Sequence, residues 1–292
     1  MRARDAALRD RIRVAVASED EPRTLALDHL PLDEPGEERG DPRGRPPAHG
    51  WIGRPFPASR SPSPRRDPAT RQHVGMWSFA ELAAAPDPSL DELALALAAE
   101  FRTVDREAAI GELDALGAQV ATAVDGDDDP LAQAQACARV LGGEHGFLGD
   151  AEDYDHPDNS MLDVVLERRR GLPILLSAVY TEVARRAGVP LAGVGLPGHF
   201  VVAHFGAVPP VVLDPFSGGF PYEREVDSAD IEPWTPSAIA LRMLNNLVLS
   251  FQRRGDLTSA IHAAGMRLAL PADDDLRALF EHELRLLRAQ LS

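Results

Sequence analysis

The sequence predicts an α+β protein, because its most informative stretch changes from a helical to a strand period. Between Leu172 and Ala187 the apolar residues recur at helical spacing, with Pro173 in the first turn and Gly188 after the last. Two short runs rich in β-branched and aromatic residues follow, His199–Phe205 and Val211–Leu213, each bounded by Gly and Pro. A small antiparallel sheet packed on one central helix is therefore expected.

Helices are predicted on both sides of this centre. An N-terminal lobe contains three, near residues 90–101, 107–124 and 130–141; Ser89 and Glu92 form a capping-box pattern ahead of the first, and Gly142-Gly143 ends the third. Residues 146–160 are expected to form a loop. Residues 236–290 predict three more helices, with a turn at 253–256 and with Pro271 starting the last.

Residues 1–75 differ in composition from the remainder. They are rich in Pro, Gly and Arg and show neither helical nor strand periodicity, so a disordered leader is expected. Translation starting at Met76 is an alternative. The predicted domains are the leader (1–75), a core domain (76–235) and a helical tail (236–292).

Composition excludes several classes of function. A net charge of −16 disfavours nucleic acid, since phosphate binding needs clustered cations. No apolar run reaches the length of a membrane helix, and one cysteine suits a reducing compartment, so a cytoplasmic protein that binds no membrane is expected. The histidines and acids show no metal-ligand spacing and no phosphate loop is present, so neither a metal nor a cofactor is predicted.

Several motifs together carry a family resemblance. They are Asn159-Ser160, Leu166-Glu-Arg-Arg169, Gly171-Leu-Pro-Ile174, Pro197-Gly-His-Phe200 and Asp214-Pro-Phe-Ser-Gly-Gly219. The set resembles the transglutaminase-like branch of the papain-type enzymes, and within it the bacterial SirB-type subfamily, from about Trp77 to the C-terminus. The resemblance implies a papain-like core, and the tail is similar to the tetratricopeptide-like tail of SirB-type proteins. The binding residues expected within these motifs are Asn159, Arg169, Phe200 and Phe216.

That family uses a Cys at a helix N-terminus, a His on the next strand and an Asp on the following one. The resemblance assigns the last two roles to His199 and Asp214, but the nucleophile position falls on Pro173, which has no thiol. Ser177, one turn further on, is a weak substitute. Cys137 is predicted to be a small buried hydrophobic residue.

The pairing of His199 with Asp214 is a register hypothesis. If residues 206–209 join the two strands, Asp214 lies opposite Val201, diagonal to His199 and on the same face of the sheet. A connection one residue longer or shorter would separate the two side chains.

Three functions stay open at this point. The favoured one is a non-catalytic transglutaminase-like protein that binds a protein or peptide partner. The second is an amide hydrolase or acyltransferase that uses His199 and Asp214 with a nucleophile other than Cys. The third is a scaffold that acts through the helical tail.

Overall fold

The computed structural model describes residues 78–222 and 231–291, so the leader predicted for residues 1–75 lies outside the described residues. The described residues combine helices with small sheets, which confirms the α+β class. The helices are α1 (Phe79–Ala83), α2 (Leu90–Ala99), α3 (Arg106–Val124), α4 (Pro130–Ala138), α5 (Leu162–Arg168), α6 (Pro173–Ala187), α7 (Pro236–Arg253), α8 (Leu257–Met266) and α9 (Asp274–Ala289). The strands are β1 (Leu148–Gly149), β2 (Arg170–Gly171), β3 (Leu191–Leu196), β4 (His199–His204), β5 (Val211–Asp214) and β6 (Phe220–Pro221).

Helix α6 occupies the centre of the core. It has the predicted bounds, with Pro173 in its first turn and Gly188 as a left-handed cap at φ 77°. The helix packs against α3 on one side and against β3 and β4 on another. Most of its residues are buried around the whole circumference, as expected for a helix enclosed by other elements.

Strands β3 to β6 form one antiparallel sheet in sequential order. The sequence pattern predicted β4 and β5 but missed β3, because Gly193 and Gly195 dilute its strand signal. These glycines admit aromatic rings: a Cβ on Gly195 would lie 2.1 Å from the Trp234 ring, and one on Gly193 would lie 2.8 Å from Phe200. Close packing, rather than a turn, explains both.

The capping box predicted at Ser89 is wrong. The Ser89 hydroxyl bonds the side chain of Asp91 and makes no cap hydrogen bond to the helix backbone. A capping box does occur at Ser78, which accepts from the Glu81 N–H while the Glu81 carboxylate accepts from the Ser78 N–H at 2.7 Å.

Two other helix ends differ from the prediction. Gly142-Gly143 does not end the third helix, which continues as a π-helical turn over Arg139–Glu144. Pro271 does not start the last helix, because Asp273 caps it by accepting from the Leu276 N–H at 2.9 Å.

The segment predicted as one long loop, residues 146–160, also contains regular structure. Strand β1 pairs in parallel with β2, and Pro157–Ser160 forms a 3₁₀ turn. Two-residue strands carry too few side chains to show a period, so the pattern could not reveal them.

The C-terminal helices pack onto the core. Helix α7 contacts α2 and α6, α8 packs on α7, and α9 packs on α8. Buried side chains of α7, such as Met243 and Leu244, belong to the same hydrophobic core as those of α6. Within residues 78–222 and 231–291, none of the helices combines the length and apolarity needed to cross a membrane.

Gly142 and Gly143 form a matched pair for testing close packing. A Cβ on Gly142 would lie 1.8 Å from the carbonyl oxygen of Gly218, whereas a Cβ on Gly143 would meet no atom of the described residues within 4 Å. We expect Gly142→Ala to lower the free energy of unfolding by about 1–3 kcal/mol, since backbone must move. Gly143→Ala should leave it unchanged or raise it by up to about 1 kcal/mol. Urea denaturation of both variants checks this, and equal stabilities would contradict the packing.

Candidate functional site

His199 and Asp214, to which the resemblance assigns the His and Asp roles, lie close together. Val202 pairs with Leu213 and His204 with Val211, which is the predicted register and places Asp214 opposite Val201. The Nε2 atom of His199 lies 3.0 Å from the Oδ1 atom of Asp214. The two side chains therefore meet on one face of the sheet, as the register hypothesis requires.

Asp214 is held by further donors. Its Oδ1 atom accepts from the Phe216 N–H at 3.0 Å and its Oδ2 atom from the Ser217 hydroxyl at 2.8 Å. Burial alone would raise the pKa of Asp214, but the hydrogen bond and charge of His199, together with these two donors, lower it below its usual value. The carboxylate is thus ionised and fixed in orientation.

Two aromatic rings also contact the His199 imidazole. The Tyr222 ring stacks on it with centroids 5.7 Å apart, and the Phe216 ring meets it edge-on at 6.3 Å. Because Nε2 donates to a carboxylate, a neutral ring presents Nδ1 as an acceptor. An oriented imidazole of this kind can serve as a base or as a hydrogen-bonding group for a ligand.

Pro173 lies in the same cleft as His199. The cleft has a cavity volume of about 50 Å³ and is partly open to solvent. Its lining comprises Tyr154, Asp155, Leu172, Pro173, Ile174, Gly198, His199, Phe200, Arg242, Asn246, Leu249 and Arg253. Pro173, which the resemblance assigns to the nucleophile position, is mostly buried but borders the cleft, and its side chain has no donor, acceptor or nucleophilic atom.

Comparison with known proteins shows the family to which the chain belongs. Residues 107–228 match a family model described as the transglutaminase-like superfamily. A UPF0162 protein of Pseudomonas aeruginosa is 31% identical over 212 residues, which cover 65% of this chain and 77% of that protein. The chain belongs to the UPF0162 family.

Other relatives match over shorter regions. A UPF0162 protein of Xylella fastidiosa is 46% identical over 96 residues, which cover 33% of this chain. The chain spans only about a third (34%) of that relative's length. Human F-box only protein 21 is 41% identical over 63 residues, 22% of this chain and 10% of that protein. No solved structure matches this UPF0162 member.

The hydroxyl and thiol considered as nucleophiles are buried. Ser177 is fully buried, and its hydroxyl has no hydrogen-bond partner among the residues that the structure describes. Cys137 is also fully buried, and burial raises the pKa of its thiol to about 12. No hydrogen bond joins Cys137 to His199, both of which the structure describes. Neither Ser177 nor Cys137 lines the cleft.

The four expected binding residues occupy different surroundings. Phe200 lines the cleft, and Phe216 packs against His199. Asn159 is buried behind the cleft, where its amide donates to the carbonyl of Asp153 at 2.8 Å and so shapes the loop beside Tyr154. Arg169 pairs with the Glu112 carboxylate, and its guanidinium lies 4.7 Å from the centre of the Phe147 ring.

Sequence reasoning missed the wall of the cleft that α7 provides. Arg242, Asn246, Leu249 and Arg253 recur at intervals of four, three and four residues, so they share one helix face. The sequence contains this spacing, but a stripe of mixed polar and apolar residues is usual on a helix surface and does not by itself indicate a site. In the two ranges that the structure describes, no three His, Cys, Asp or Glu side chains are grouped as metal ligands.

Replacing Asp214 with Asn should reduce stability in a pH-dependent way. The folded pKa of Asp214 is lowered from its ordinary value of 3.8, so its ionised form stabilises the fold above that pH, and this contribution is lost as the pH falls below it. At pH 7 we expect Asp214→Asn to lower the free energy of unfolding by about 1–3 kcal/mol.

The difference from the wild type should be constant above about pH 5 and should shrink as the pH falls from about 3.8 through the lowered pKa of Asp214, as urea titrations at each pH would show. Glu281→Gln, at a side chain that is 52% exposed, is the control and should change little at either end of the range. A difference that is constant with pH would contradict the assignment.

Proposed function

We propose that this protein is a non-catalytic transglutaminase-like protein whose cleft binds a segment of a protein or peptide partner. One observation carries the proposal: Pro173 and His199 line the same cleft, and the resemblance assigns Pro173 to the position where the related enzymes hold their nucleophile. Acyl transfer begins with attack by a thiolate or an activated hydroxyl, and proline supplies neither. The oriented imidazole is then available to bind a ligand.

An amide hydrolase or acyltransferase is the second candidate, because the His199–Asp214 pair has kept a catalytic geometry. Such an enzyme needs a nucleophile within reach of Nδ1. Ser177 is fully buried within α6, so this route would require water or a group from the substrate. A bound water activated by His199 would make His199 essential for turnover, which gives this candidate a clear test.

The scaffold role of the helical tail has less support. Helix α7 supplies Arg242, Asn246, Leu249 and Arg253 to the cleft and shares the hydrophobic core of α6. A tail that completes the cleft is part of the binding site, rather than a separate scaffold. We assign the chain to the SirB type on its motifs, with a tetratricopeptide-like tail at 236–292, and a cytoplasmic location on its single cysteine.

Restoring a thiol should reveal how much of the catalytic arrangement survives. Pro173→Cys places the sulfur at the first turn of α6 and beside His199, where the helix dipole and the imidazole favour the thiolate. We expect iodoacetamide to alkylate it at neutral pH about tenfold faster than an unperturbed cysteine. The native Cys137 is fully buried and should contribute no background.

Two controls separate activation from mere exposure. Pro173→Cys combined with His199→Ala should react more slowly than Pro173→Cys alone, and Pro173→Ala should not react. If removing His199 leaves the alkylation rate unchanged, the imidazole does not act on position 173, and the assignment of Pro173 to the nucleophile position fails.

A photocrosslinker in the cleft should capture the partner. We would place p-benzoylphenylalanine at Leu249, which is half-buried in the cleft, and at Leu286, which is 54% exposed on α9, as the control. A partner adduct should form from position 249 and not from 286. It should persist in His199→Ala, while neither the parent protein nor that variant hydrolyses fluorogenic amide substrates. Hydrolysis that depends on His199 would instead support the enzyme.

A further inference from the structure

A second cavity, which we call the groove, lies where the N-terminal helices meet the helical tail. It has a volume of about 450 Å³ and is open to solvent. Its walls come from Phe79 and Ala80 of α1, Glu100 at the end of α2, one face of α8, and Arg288 of α9. The groove shares no lining residue with the cleft that contains His199.

One face of α8 forms the floor of the groove. The residues that line it recur at intervals of three, one, three and one, as on a single helix face, and they are Thr258, Ile261, His262, Gly265 and Met266. A Cβ on Gly265 would meet no atom of the described residues within 4 Å. The middle of this face is therefore open towards the groove in the part of the chain that the structure describes.

The polar rim of the groove already has an internal pair. The Oε2 atom of Glu100 lies 3.2 Å from the Nε2 atom of His262, and the Phe101 ring meets the His262 ring edge-on at 5.2 Å. Arg288, which is exposed, is the other charged residue of the lining. Most of the remaining lining is apolar, so the groove favours an occupant with apolar side chains.

The chain enters the described structure at this groove. Ser78 is the first described residue, and the two residues that follow it line the groove. The Ser78 N–H donates to the Glu81 carboxylate at 2.7 Å, which fixes the nitrogen to which residue 77 is joined. Four residues span about 13 Å when fully extended, so residues 74–77 are confined to the neighbourhood of the groove.

The composition of the chain changes just before this point of entry. Val74, Met76 and Trp77 are apolar, whereas residues 61–73 contain Ala69 but no larger apolar side chain. Burying an aromatic ring removes a large apolar area from water. A segment joined to the rim of the groove also has an effective concentration in the millimolar range or above, which favours it over a separate partner.

We propose that residues 74–77 pack in the groove and so join the N-terminal helices to the helical tail, with Trp77 and Met76 as the main apolar contacts. This surface lies outside the cleft, so the proposal goes beyond the proposed function and is tested separately from it. Helix α8 packs on α7, which lines the cleft, so the contact also supports the wall that the tail gives to the cleft.

A photocrosslinker at the rim of the groove tests the occupant in the full-length protein. We would place p-benzoylphenylalanine at Thr258, which is exposed and lines the groove, and at Leu286, which is 54% exposed on α9, as the control. Position 258 should give an adduct within one chain that mass spectrometry locates at residues 74–77, and position 286 should not. Trp77→Ala should abolish this adduct, while Trp51→Ala should retain it.

Filling the groove should release the segment. Gly265→Leu places a side chain in the groove, and Gly111→Leu is the matched control, because it is also a helix glycine whose Cβ would meet no described atom within 4 Å. We expect chymotrypsin to cleave after Trp77 about tenfold faster in Gly265→Leu than in the parent protein, since cleavage follows the population of the open form. Gly111→Leu should be cleaved at the parent rate.

Thermal unfolding shows whether both leucine variants are folded. If Gly265→Leu is not, Met76→Ser tests the same contact from the segment itself and should also speed cleavage after Trp77. An adduct from position 258 that joins two chains would assign the groove to a second copy and overturn the proposal. An adduct to another part of the same chain, no adduct, or equal cleavage of Gly265→Leu and Gly111→Leu would also overturn it.

Discussion

A cluster of charges around Arg186 fixes the central helix on which the fold depends. At the C-terminal end of α6 this guanidinium contacts the carboxylates of Asp91, Asp114 and Glu182, and so ties α6 to α2 and α3. Burial and the nearby charge of Asp91 raise the pKa of Glu182, against the two arginines beside it. Burial also opposes ionisation of Asp91, but the charge of Arg186, together with the hydrogen bonds from Ser89 and Arg186, lowers its pKa. Since unpaired buried charges are costly, this arrangement tolerates very few alternatives.

With its C-terminal end fixed, α6 presents its N-terminal end to the sheet in a single position. The Leu172 N–H donates to the carbonyl of Asn159 at 3.1 Å, and the Asn159 amide in turn holds the backbone of Asp153. The same loop is held from the tail: the Arg253 and Arg254 side chains pair with Asp155 and Asp153. Pro173 therefore lies between elements that are joined by the buried Asn159 amide on one side and by solvent-exposed ion pairs from the tail on the other.

Features of the fold and the site that are set by neighbouring residues could be predicted from the sequence, whereas features set by distant residues could not. Helix α6 and the register of β4 with β5 follow from period, proline, glycine and the length of one connection, and both were predicted correctly. Strand β3 was missed because its glycines leave space for aromatic rings from other parts of the chain. Gly142 was predicted to end a helix, but it instead leaves space for the backbone of Gly218. The tail's contribution to the cleft joins residues that are far apart in the sequence, such as Asp155 and Arg253, which are 98 positions apart, and no pattern within a short window contains that information.

The cleft is lined partly by the region that matches the superfamily model and partly by α7, and this division affects how the family can diversify. The region that matches the superfamily model, residues 107–228, contains His199, Asp214 and Pro173 but none of α7. Relatives can therefore keep the inherited imidazole–carboxylate pair intact while exchanging single side chains along one helical stripe. Under the proposed binding role, selectivity can change independently of ancestry, so two members with the same motif set need not share a ligand.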